Sequence, residues 1–175
     1  GVRLVGSEMC IRDRLNTYEK PRYLEIGCDV GYTLISICEY FDHCTALDID
    51  ASRIEKLKEN LNVFDIQPNI DFILGTSDDL KEGHYDVVLI DADHIYEAVK
   101  KDCLNVLKKN KAKKCSIFFH DYGVMDRHRK YGVKNFIKEA FPNGKYELVG
   151  EKENWNPVGT FQPVDWEACL VRMKK

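Results

Sequence analysis

The chain has 175 residues, of which 44% are hydrophobic and 31% charged, and its formal net charge is -3. This length and composition are those of one globular domain. The acidic balance argues against general nucleic-acid binding, because a phosphate backbone attracts a basic surface. We therefore expect a small-molecule partner and no nucleic-acid partner.

No hydrophobic run approaches the roughly 18 residues that a membrane-spanning helix needs, and no signal-peptide pattern opens the chain. Seven cysteines are scattered without CxxC pairs, which favours reduced core residues over zinc sites or disulfides. These features predict a cytoplasmic protein without a membrane partner. They leave the oligomeric state open, and a homodimer is one of the states they allow.

The first fourteen residues differ from the rest of the chain. The run from Met9 to Asp13, MCIRD, resembles the translation of a transposon-end sequencing adapter. We therefore expect residues 1–14 to be an artefact rather than native sequence. Residues 15–175 are expected to form a single domain that is truncated at its N-terminus.

The first predicted strand ends in a glycine-containing loop. Its residues, YLEI (23–26), lead into Gly27 and Gly31, and the next predicted strand, CTALDI (44–49), carries Asp48. Asp48 follows Gly27 by about 20 residues, the spacing at which an acidic side chain meets the ribose of an adenosine cofactor. The pattern therefore predicts a nucleoside site at the ends of these two strands.

This loop carries an acid, Asp29, where a dinucleotide fingerprint requires its second glycine. Glu25 and Asp48 add two further carboxylates around the same loop. Carboxylates repel a pyrophosphate but attract the ammonium and sulfonium groups of S-adenosylmethionine. The residues therefore favour a methyl donor over a nicotinamide cofactor.

Strand-like and helix-like segments alternate along the rest of the chain, which is typical of a parallel sheet covered by helices. Buried strands are predicted at IDFIL (70–74), YDVVLI (85–90) and CSIFFH (115–120). Helical stripes are predicted at Ile54, Leu57 and Leu61, at Ile95, Val99, Cys103, Val106 and Leu107, and at Val133, Phe136, Ile137, Ala140 and Phe141. Asp50 is interpreted as the cap of the first of these helices rather than as a ligand.

Two last strands, KYELVG (145–150) and ACLVRM (168–173), are predicted to pair antiparallel. The fold class is therefore α/β, a doubly wound, Rossmann-like, mostly parallel sheet with helices on both faces and an antiparallel C-terminal edge strand. The long loop from Trp155 to Trp166, together with Tyr122 and Tyr131, is a candidate wall of a substrate pocket. Aromatic loop residues pack against a sheet edge as often as they line a pocket.

Together these motifs resemble the class I S-adenosylmethionine-dependent methyltransferases, and among them the small-molecule O-methyltransferases of the catechol and macrolide-sugar type. The resemblance runs from about Tyr23 to Phe141 and rests on EIGCDVGYT, ALDID, GTSDDL, YDVVLIDADH and IFFHDYG. It implies that S-adenosylmethionine is the cofactor and that its methyl group goes to a hydroxyl of a small molecule. Residues 15–175 would then be one methyltransferase domain.

The resemblance also implies a role for each matching residue. The cofactor would be bound by Glu25, Gly27 and Gly31 at its methionine end, by Asp48 at the ribose, by Thr76, Ser77 and Asp78 at the adenine edge, and by Asp91. In the resembling enzymes, the positions of Asp91, His120 and Asp121 hold a metal, so Mg²⁺ or another divalent metal is a candidate cofactor. His94 matches the position of the catalytic general base.

An acid is usual at the position of His120, and a nitrogen ligand there suits a transition metal better than magnesium. Plainer interpretations are that Asp91 contacts only the cofactor or caps a helix, that His94 is a surface residue, and that His120 and Asp121 form a hydrogen-bonded strand end. The basic run from Asp126 to Lys134 is either a solvated face or a clamp for an anionic acceptor. For the whole chain, the alternatives are a non-catalytic cofactor-binding domain, a nicotinamide-dependent oxidoreductase and an RNA methyltransferase.

Overall fold

The computed structural model of the protein describes residues 11–12, 15, 18–66, 69–152 and 165–174. The strands within these ranges are β1 Arg22–Ile26, β2 His43–Asp48, β3 Ile70–Leu74, β4 Val87–Ile90, β5 Lys114–His120, β6 Glu147–Lys152 and β7 Asp165–Lys174. The α-helices with defined bounds are α1 Tyr32–Ile37, α2 Ala51–Val63, α3 Tyr96–Lys109 and α4 Gly132–Ala140. Short 3-10 helices lie at Cys38–Tyr40 and Ser77–Asp79.

All seven strands form one sheet, in the order β3-β2-β1-β4-β5-β7-β6. Strands β1 to β5 run parallel, and β7 pairs antiparallel with both β5 and β6. The doubly wound, mostly parallel sheet with an antiparallel end is therefore confirmed. Within the antiparallel pair, β7 takes the inner position beside β5, and β6 forms the outer edge.

Side chains of the central strands alternate between two hydrophobic cores, one on each face of the sheet. In β4, Val87 and Leu89 belong to the core that packs against α1 and α2. Val88 and Ile90 belong to the core that packs against α3 and α4. Because both faces are covered, the strands need hydrophobic residues at consecutive positions, which explains the continuous hydrophobic runs of the sequence.

The buried faces of the helices follow the predicted stripes, at Ile54, Leu57 and Leu61 in α2, at Val99, Cys103 and Val106 in α3, and at Val133, Phe136 and Ile137 in α4. Ala140, the last residue of α4, is exposed. Asp50 caps α2 as predicted, since its Oδ1 accepts a hydrogen bond from Ser52 N at 2.9 Å.

Six cysteines lie within the described residues, and all six are buried and free, namely Cys28, Cys38, Cys44, Cys103, Cys115 and Cys169. The prediction of reduced core cysteines is confirmed for these six, and Cys10 lies outside the described residues. Ile11 is fully buried in the core against α1 and α2. The proposed artefact at residues 1–14 stays a prediction. No helix in the described part of the chain has the length and hydrophobicity that crossing a membrane requires.

Candidate active site

A cavity of about 640 Å³ opens at the carboxyl ends of β1, β2 and β4. The strand order reverses between β1 and β4, and open α/β sheets bind their ligands at such a point. The cavity is lined by Ile26, Gly27, Asp29, Leu47, Asp48, Ile49, Asp50, Arg53, Thr76, Ser77, Asp91, Ala92, Asp93, His94, Ala98, Lys101 and Asp102. Its volume is in the range of cofactor and small-molecule sites.

The predicted site residues divide into two groups by their position at this cavity. Those on its wall are Gly27, Asp48, Thr76, Ser77, Asp91 and His94. The others, Glu25, Gly31, Asp78, His120 and Asp121, lie behind or beside the wall. The structure therefore places six of the predicted site residues on the cavity wall and the other five behind or beside it.

Gly27 allows the end of β1 to approach the end of β4. Its φ is 86°, and Asp91 N donates a hydrogen bond to Ile26 O at 2.9 Å. A Cβ atom added to Gly27 would lie 2.7 Å from the carbonyl carbon of Asp91 and 2.8 Å from Ala92 Cα, well inside the optimal separation of carbon atoms. The backbone of the loop therefore stays uncovered at this point of the cavity.

Gly31, by contrast, allows the loop to pack closely against α2. Its φ is 89°, and its N–H donates to Cys28 O at 2.9 Å. A Cβ atom at Gly31 would collide with the Leu57 side chain of α2. Gly31 is therefore required by packing behind the cavity rather than by the cavity wall.

Asp48 is held at the cavity wall by two backbone amides. Its Oδ2 accepts a hydrogen bond from Asp29 N at 2.9 Å, and its Oδ1 accepts one from Asp50 N at 3.0 Å. The residue is only 6% exposed. Each carboxylate oxygen has further lone pairs, so Asp48 can also accept hydrogen bonds from a ligand. Its position at the end of β2 is the one predicted for a ribose contact.

Glu25 lies inside the protein rather than on the cavity wall. It is 2% exposed, and Tyr23 O–H donates to its Oε2 at 3.2 Å. The two side chains are two residues apart on β1 and therefore share one face of the sheet. The predicted contact of Glu25 with the methionine end of a cofactor stays a prediction.

The turn after β3 presents Thr76 and Ser77 to the cavity and directs Asp78 away from it. Asp78 forms an ion pair with Lys101 of α3. Asn105 donates hydrogen bonds of 2.9 Å to Ser77 Oγ and to Asp78 Oδ1. The partners Lys101 and Asn105 hold the pKa of Asp78 below its ordinary value. These contacts fix the turn against α3.

The cavity wall is predominantly acidic. Its carboxylates are Asp29, Asp48, Asp50, Asp91, Asp93 and Asp102, and its cations are Arg53 and Lys101. Arg53 is engaged by Asp29 at 2.9 Å and by Asp50 at 3.6 Å. Burial raises the pKa of Asp102 above its ordinary value. Such a wall attracts a positively charged ligand and repels a diphosphate.

His94 and Asp121 form a pair beside this cavity. His94 Nε2 lies 3.0 Å from Asp121 Oδ2. The Asp121 carboxylate raises the pKa of His94, against the opposing effect of burial. Asp121 has a φ of 53°, a left-handed conformation that is uncommon outside glycine and concentrates at functional sites. One ligand atom from each of Asp91, His94 and Asp121 lies within 4.8 Å of the others.

His120 lies between the carboxylates instead of beside them. Its Nδ1 is 3.3 Å from Asp91 Oδ1 and 3.3 Å from Asp121 Oδ1, and its Nε2 is 3.3 Å from Glu167 Oε1 of β7. Nδ1 is buried, and neither of its two contacts has hydrogen-bond geometry. Burial alone would lower the pKa of His120, but Asp121, Asp91 and Glu167 raise it to about 12. The two histidines hold the pKa of Asp121 well below its ordinary value, although burial opposes them.

The sequence analysis did not find Glu167, Lys101 and Arg53. Glu167 reaches His120 because β7 pairs with β5 in a register that places His120 opposite Ala168. Lys101 reaches Asp78 because α3 packs against the turn after β3. Neither the register nor the helix packing leaves a signal in a single sequence. The position of Arg53 one turn into α2, near an acidic loop, is the one signal that could have been used.

This strand order and an acidic cavity at the β1–β4 junction fit a class I S-adenosylmethionine-dependent methyltransferase. A family model described as a methyltransferase domain matches residues 24–122, and the chain belongs to that family. No curated protein matches the chain significantly.

Three solved structures illustrate the similarity in fold. A candidate O-methyltransferase from Klebsiella pneumoniae has a TM-score of 0.70 and 17% identity, with 97% of this chain and 80% of that chain covered. A candidate methyltransferase from Streptococcus mutans in complex with SAH has a TM-score of 0.69 and 12% identity, with 99% and 100% covered. An rRNA methylase from Streptococcus thermophilus has a TM-score of 0.63 and 11% identity, with 100% and 99% covered. The similarity shows a fold that O-methyltransferases and rRNA methylases share.

Proposed function

We propose that this methyltransferase transfers the methyl group of S-adenosylmethionine to a hydroxyl of a small molecule. The observation that carries the proposal is the His94–Asp121 pair, 3.0 Å apart, beside an acidic cavity. The cofactor supplies an electrophilic methyl group on a positively charged sulfur. The protein must therefore bind that cation, orient an acceptor oxygen and remove its proton.

Cofactor binding is assigned to the wall around Gly27 and Asp48. The uncovered backbone at Gly27 is assigned to bind the methionine end of the cofactor. The fixed carboxylate of Asp48 is assigned to accept hydrogen bonds from the ribose hydroxyls. Thr76 and Ser77 are assigned to bind the adenine edge. Asp78 supports their turn through its ion pair with Lys101. Glu25, which is buried at the end of β1, keeps its predicted assignment to the methionine end, and Gly31 supports the loop from behind.

His94 is assigned as the general base. Its Nε2 faces Asp121, so that Nδ1 is the atom that takes the acceptor proton. The carboxylate fixes the orientation of the ring and stabilises the imidazolium that forms, and it raises the pKa of His94, which makes the ring a stronger base. Asp121 is thus a positioning residue for His94.

A divalent cation fits the same group of residues as an alternative to the base role of His94, because an imidazole that ligates a metal does not also take the acceptor proton. Asp91, His94 and Asp121 present oxygen and nitrogen donors within 4.8 Å of one another, and the buried Nδ1 of His120 faces Asp91 and Asp121 without a hydrogen bond. Two carboxylates with imidazole suit Mn²⁺ or another transition metal better than Mg²⁺. A bound cation would hold the acceptor oxygens and lower the pKa of the hydroxyl.

The cofactor assignment is tested by calorimetric titration with S-adenosylhomocysteine. We expect a dissociation constant in the micromolar range. Asp48→Asn should weaken binding about tenfold, because the side chain loses its charge and keeps one acceptor oxygen instead of two. Asp71→Asn is the matched control, since Asp71 is an exposed acid on edge strand β3. Equal affinity in wild type and Asp48→Asn would contradict the ribose assignment.

The base assignment is tested by following an isotopically labelled methyl group into a panel of phenols and sugars. His94→Ala should lower kcat about 100-fold and leave the affinity for S-adenosylhomocysteine unchanged. His84→Ala, an exposed histidine before β4, should behave as wild type. Unchanged turnover in His94→Ala would remove the base assignment. Cofactor binding without label in any acceptor would favour the non-catalytic domain.

The cation is tested by titrating the protein, with S-adenosylhomocysteine bound, with Mg²⁺ and with Mn²⁺. We expect Mn²⁺ to bind more tightly, and Asp121→Asn to weaken its binding. Asp71→Asn again serves as the control for a general loss of negative charge. An absence of heat with both ions, in a protein that binds the cofactor product, would refute the cation and leave the base assignment intact.

A further inference from the structure

A basic turn, residues 126–130 (DRHRK), lies between β5 and α4 and has no role in the reaction proposed above. The side chains of Arg127, His128, Arg129 and Lys130 are exposed. The acid of the turn, Asp126, is only 8% exposed. The turn therefore presents positive charge to solvent and keeps its negative charge inside.

Asp126 closes the turn through backbone hydrogen bonds. Its Oδ1 accepts from His128 N at 2.7 Å and from Lys130 N at 3.1 Å. Its own N–H donates to Lys130 O at 2.6 Å, and its carbonyl oxygen accepts from Arg129 N at 2.8 Å. This network gives the turn a defined shape, which a merely solvated charge run does not need.

Both ends of the surrounding loop are fixed at the proposed reaction centre. At one end, Val124 N donates to Asp121 O at 3.0 Å. At the other end, Gly132 lies so close to the segment after β4 that an added Cβ would be 2.7 Å from Tyr96 N and would collide with His94 O. The basic turn is thereby held next to the His94–Asp121 pair.

Arg127 connects the turn to the cavity. Its Nη2 lies 3.3 Å from Oδ2 of Asp93, and Asp93 lines the cavity. The Arg127 side chain is 70% exposed and that of Asp93 is 47% exposed. An exposed ion pair of this kind is weak, so the guanidinium can exchange Asp93 for a ligand at the rim of the cavity.

We infer that the basic turn, with Arg127 as its main contact, binds an oxyanion carried by the methyl acceptor, either a phosphate or a carboxylate. This inference rests on the proposed function and specifies its substrate class. The acceptor hydroxyl then lies at His94, and the anion lies outside the acidic cavity, at the turn. A guanidinium suits this task because its planar donors match both groups.

The charge distribution favours this placement of the anion. An anionic group inside the cavity would meet six carboxylates and two cations, Arg53 and Lys101. Both cations are paired more closely than Arg127 is, as the 2.9 Å between Arg53 and Asp29 shows against the 3.3 Å between Arg127 and Asp93. On the turn, by contrast, Arg129 and Lys130 reinforce Arg127. The acidic cavity thus favours the cationic cofactor, and the basic turn favours an anionic acceptor.

The test is an NMR titration of isotopically labelled protein with phenyl phosphate and with benzoate, at constant ionic strength. Each titration is run with and without S-adenosylhomocysteine. We expect saturable shifts at the amides of residues 126–130, and the tighter of the two probes identifies the anionic group. Arg127→Gln should raise the dissociation constant about threefold to tenfold. Arg127→Lys, which keeps the charge but loses the planar donor pair, should lie between.

Lys108→Gln is the matched control, since Lys108 is exposed in the last turn of α3. Equal weakening by Lys108→Gln, or no saturable shift in the turn, would overturn the inference. Binding of an RNA oligonucleotide through the same turn, with a steep dependence on salt, would also overturn it in favour of an RNA acceptor. Affinity for S-adenosylhomocysteine, measured on the same samples, reports separately on the proposed function.

Discussion

Gly27→Ala is the most informative single substitution, because it tests the close approach of the ends of β1 and β4 at the cavity wall. Alanine would have to adopt a φ of 86° and place its Cβ 2.7 Å from the carbonyl carbon of Asp91. Gly144→Ala provides a matched control. Gly144 has a φ of 68°, and an added Cβ meets no atom within 4 Å. The two variants share the backbone strain and differ in the steric conflict.

The expected magnitudes follow from these two contributions. A left-handed conformation costs alanine roughly 1–2 kcal/mol, which is the whole expected effect at Gly144. At Gly27 the conflict is with backbone atoms that cannot rotate away, and overpacking adds about 1–3 kcal/mol. The free energy of unfolding should therefore fall by about 2–5 kcal/mol in Gly27→Ala. The difference between the variants isolates the close approach of β1 and β4.

The measurement is urea unfolding followed by circular dichroism, together with calorimetric titration of S-adenosylhomocysteine at a temperature where both variants are folded. Gly27→Ala should bind the ligand more weakly, because the new methyl group displaces the backbone at the cavity wall. Gly144→Ala should bind it as wild type does. Equal loss of stability in both variants, with equal ligand affinity, would refute the close approach.

Three further predictions concern regions around this contact. Asp102→Asn should raise the free energy of unfolding, measured in urea, at pH 7.5 and change it less at pH 4. Burial raises the pKa of Asp102 in the folded state, so the ionised carboxylate destabilises the fold as the pH rises above the ordinary carboxyl pKa. Asn110→Ala should lower the free energy of unfolding by about 2–4 kcal/mol, because the Asn110 side chain pairs with both Tyr85 N and Tyr85 O; unchanged affinity for S-adenosylhomocysteine should accompany this loss. The Cys28 thiol should react slowly with a thiol reagent at pH 8 until urea unfolds the chain, since burial raises the pKa of Cys28 to about 12; fast labelling of Cys28 in the folded protein would contradict this.

The parts of the fold that could be predicted are those whose physical cause is local. The β4 residues 87–90 are hydrophobic at every position because both faces of the sheet are covered, and this pattern is visible in the sequence. The role of Asp50 as an N-cap could be predicted because it immediately precedes the hydrophobic stripe of α2. Helix α1 escaped prediction because six residues are too few to display a helical period. The order of β6 and β7 is set by long-range pairing with β5, which a single sequence does not show.

The candidate site divides in the same way. Gly27 and Asp48 could be placed together at the cavity because a strand, a glycine-containing loop, a short helix and a second strand set their spacing along the chain. The environment of His120 was not found, since its contacts come from β4 and β7, which are distant in sequence. A histidine in this position could be read as a metal ligand only through family resemblance. In the structure His120 is surrounded by the carboxylates of Asp91, Asp121 and Glu167, and its role as a metal ligand stays a prediction.

The acidic wall has a consequence for the direction of cofactor exchange. S-adenosylmethionine carries a positive sulfonium, and methyl transfer removes that charge. The six carboxylates of the wall outnumber its two cations, and Asp48 is fixed at the end of β2 by two backbone amides. The electrostatic attraction is therefore greater for the reactant than for the product. Under the proposed cofactor assignment, the wall that disfavours a diphosphate would also hold the spent cofactor less tightly than S-adenosylmethionine, so that binding selectivity and product release would share one physical origin.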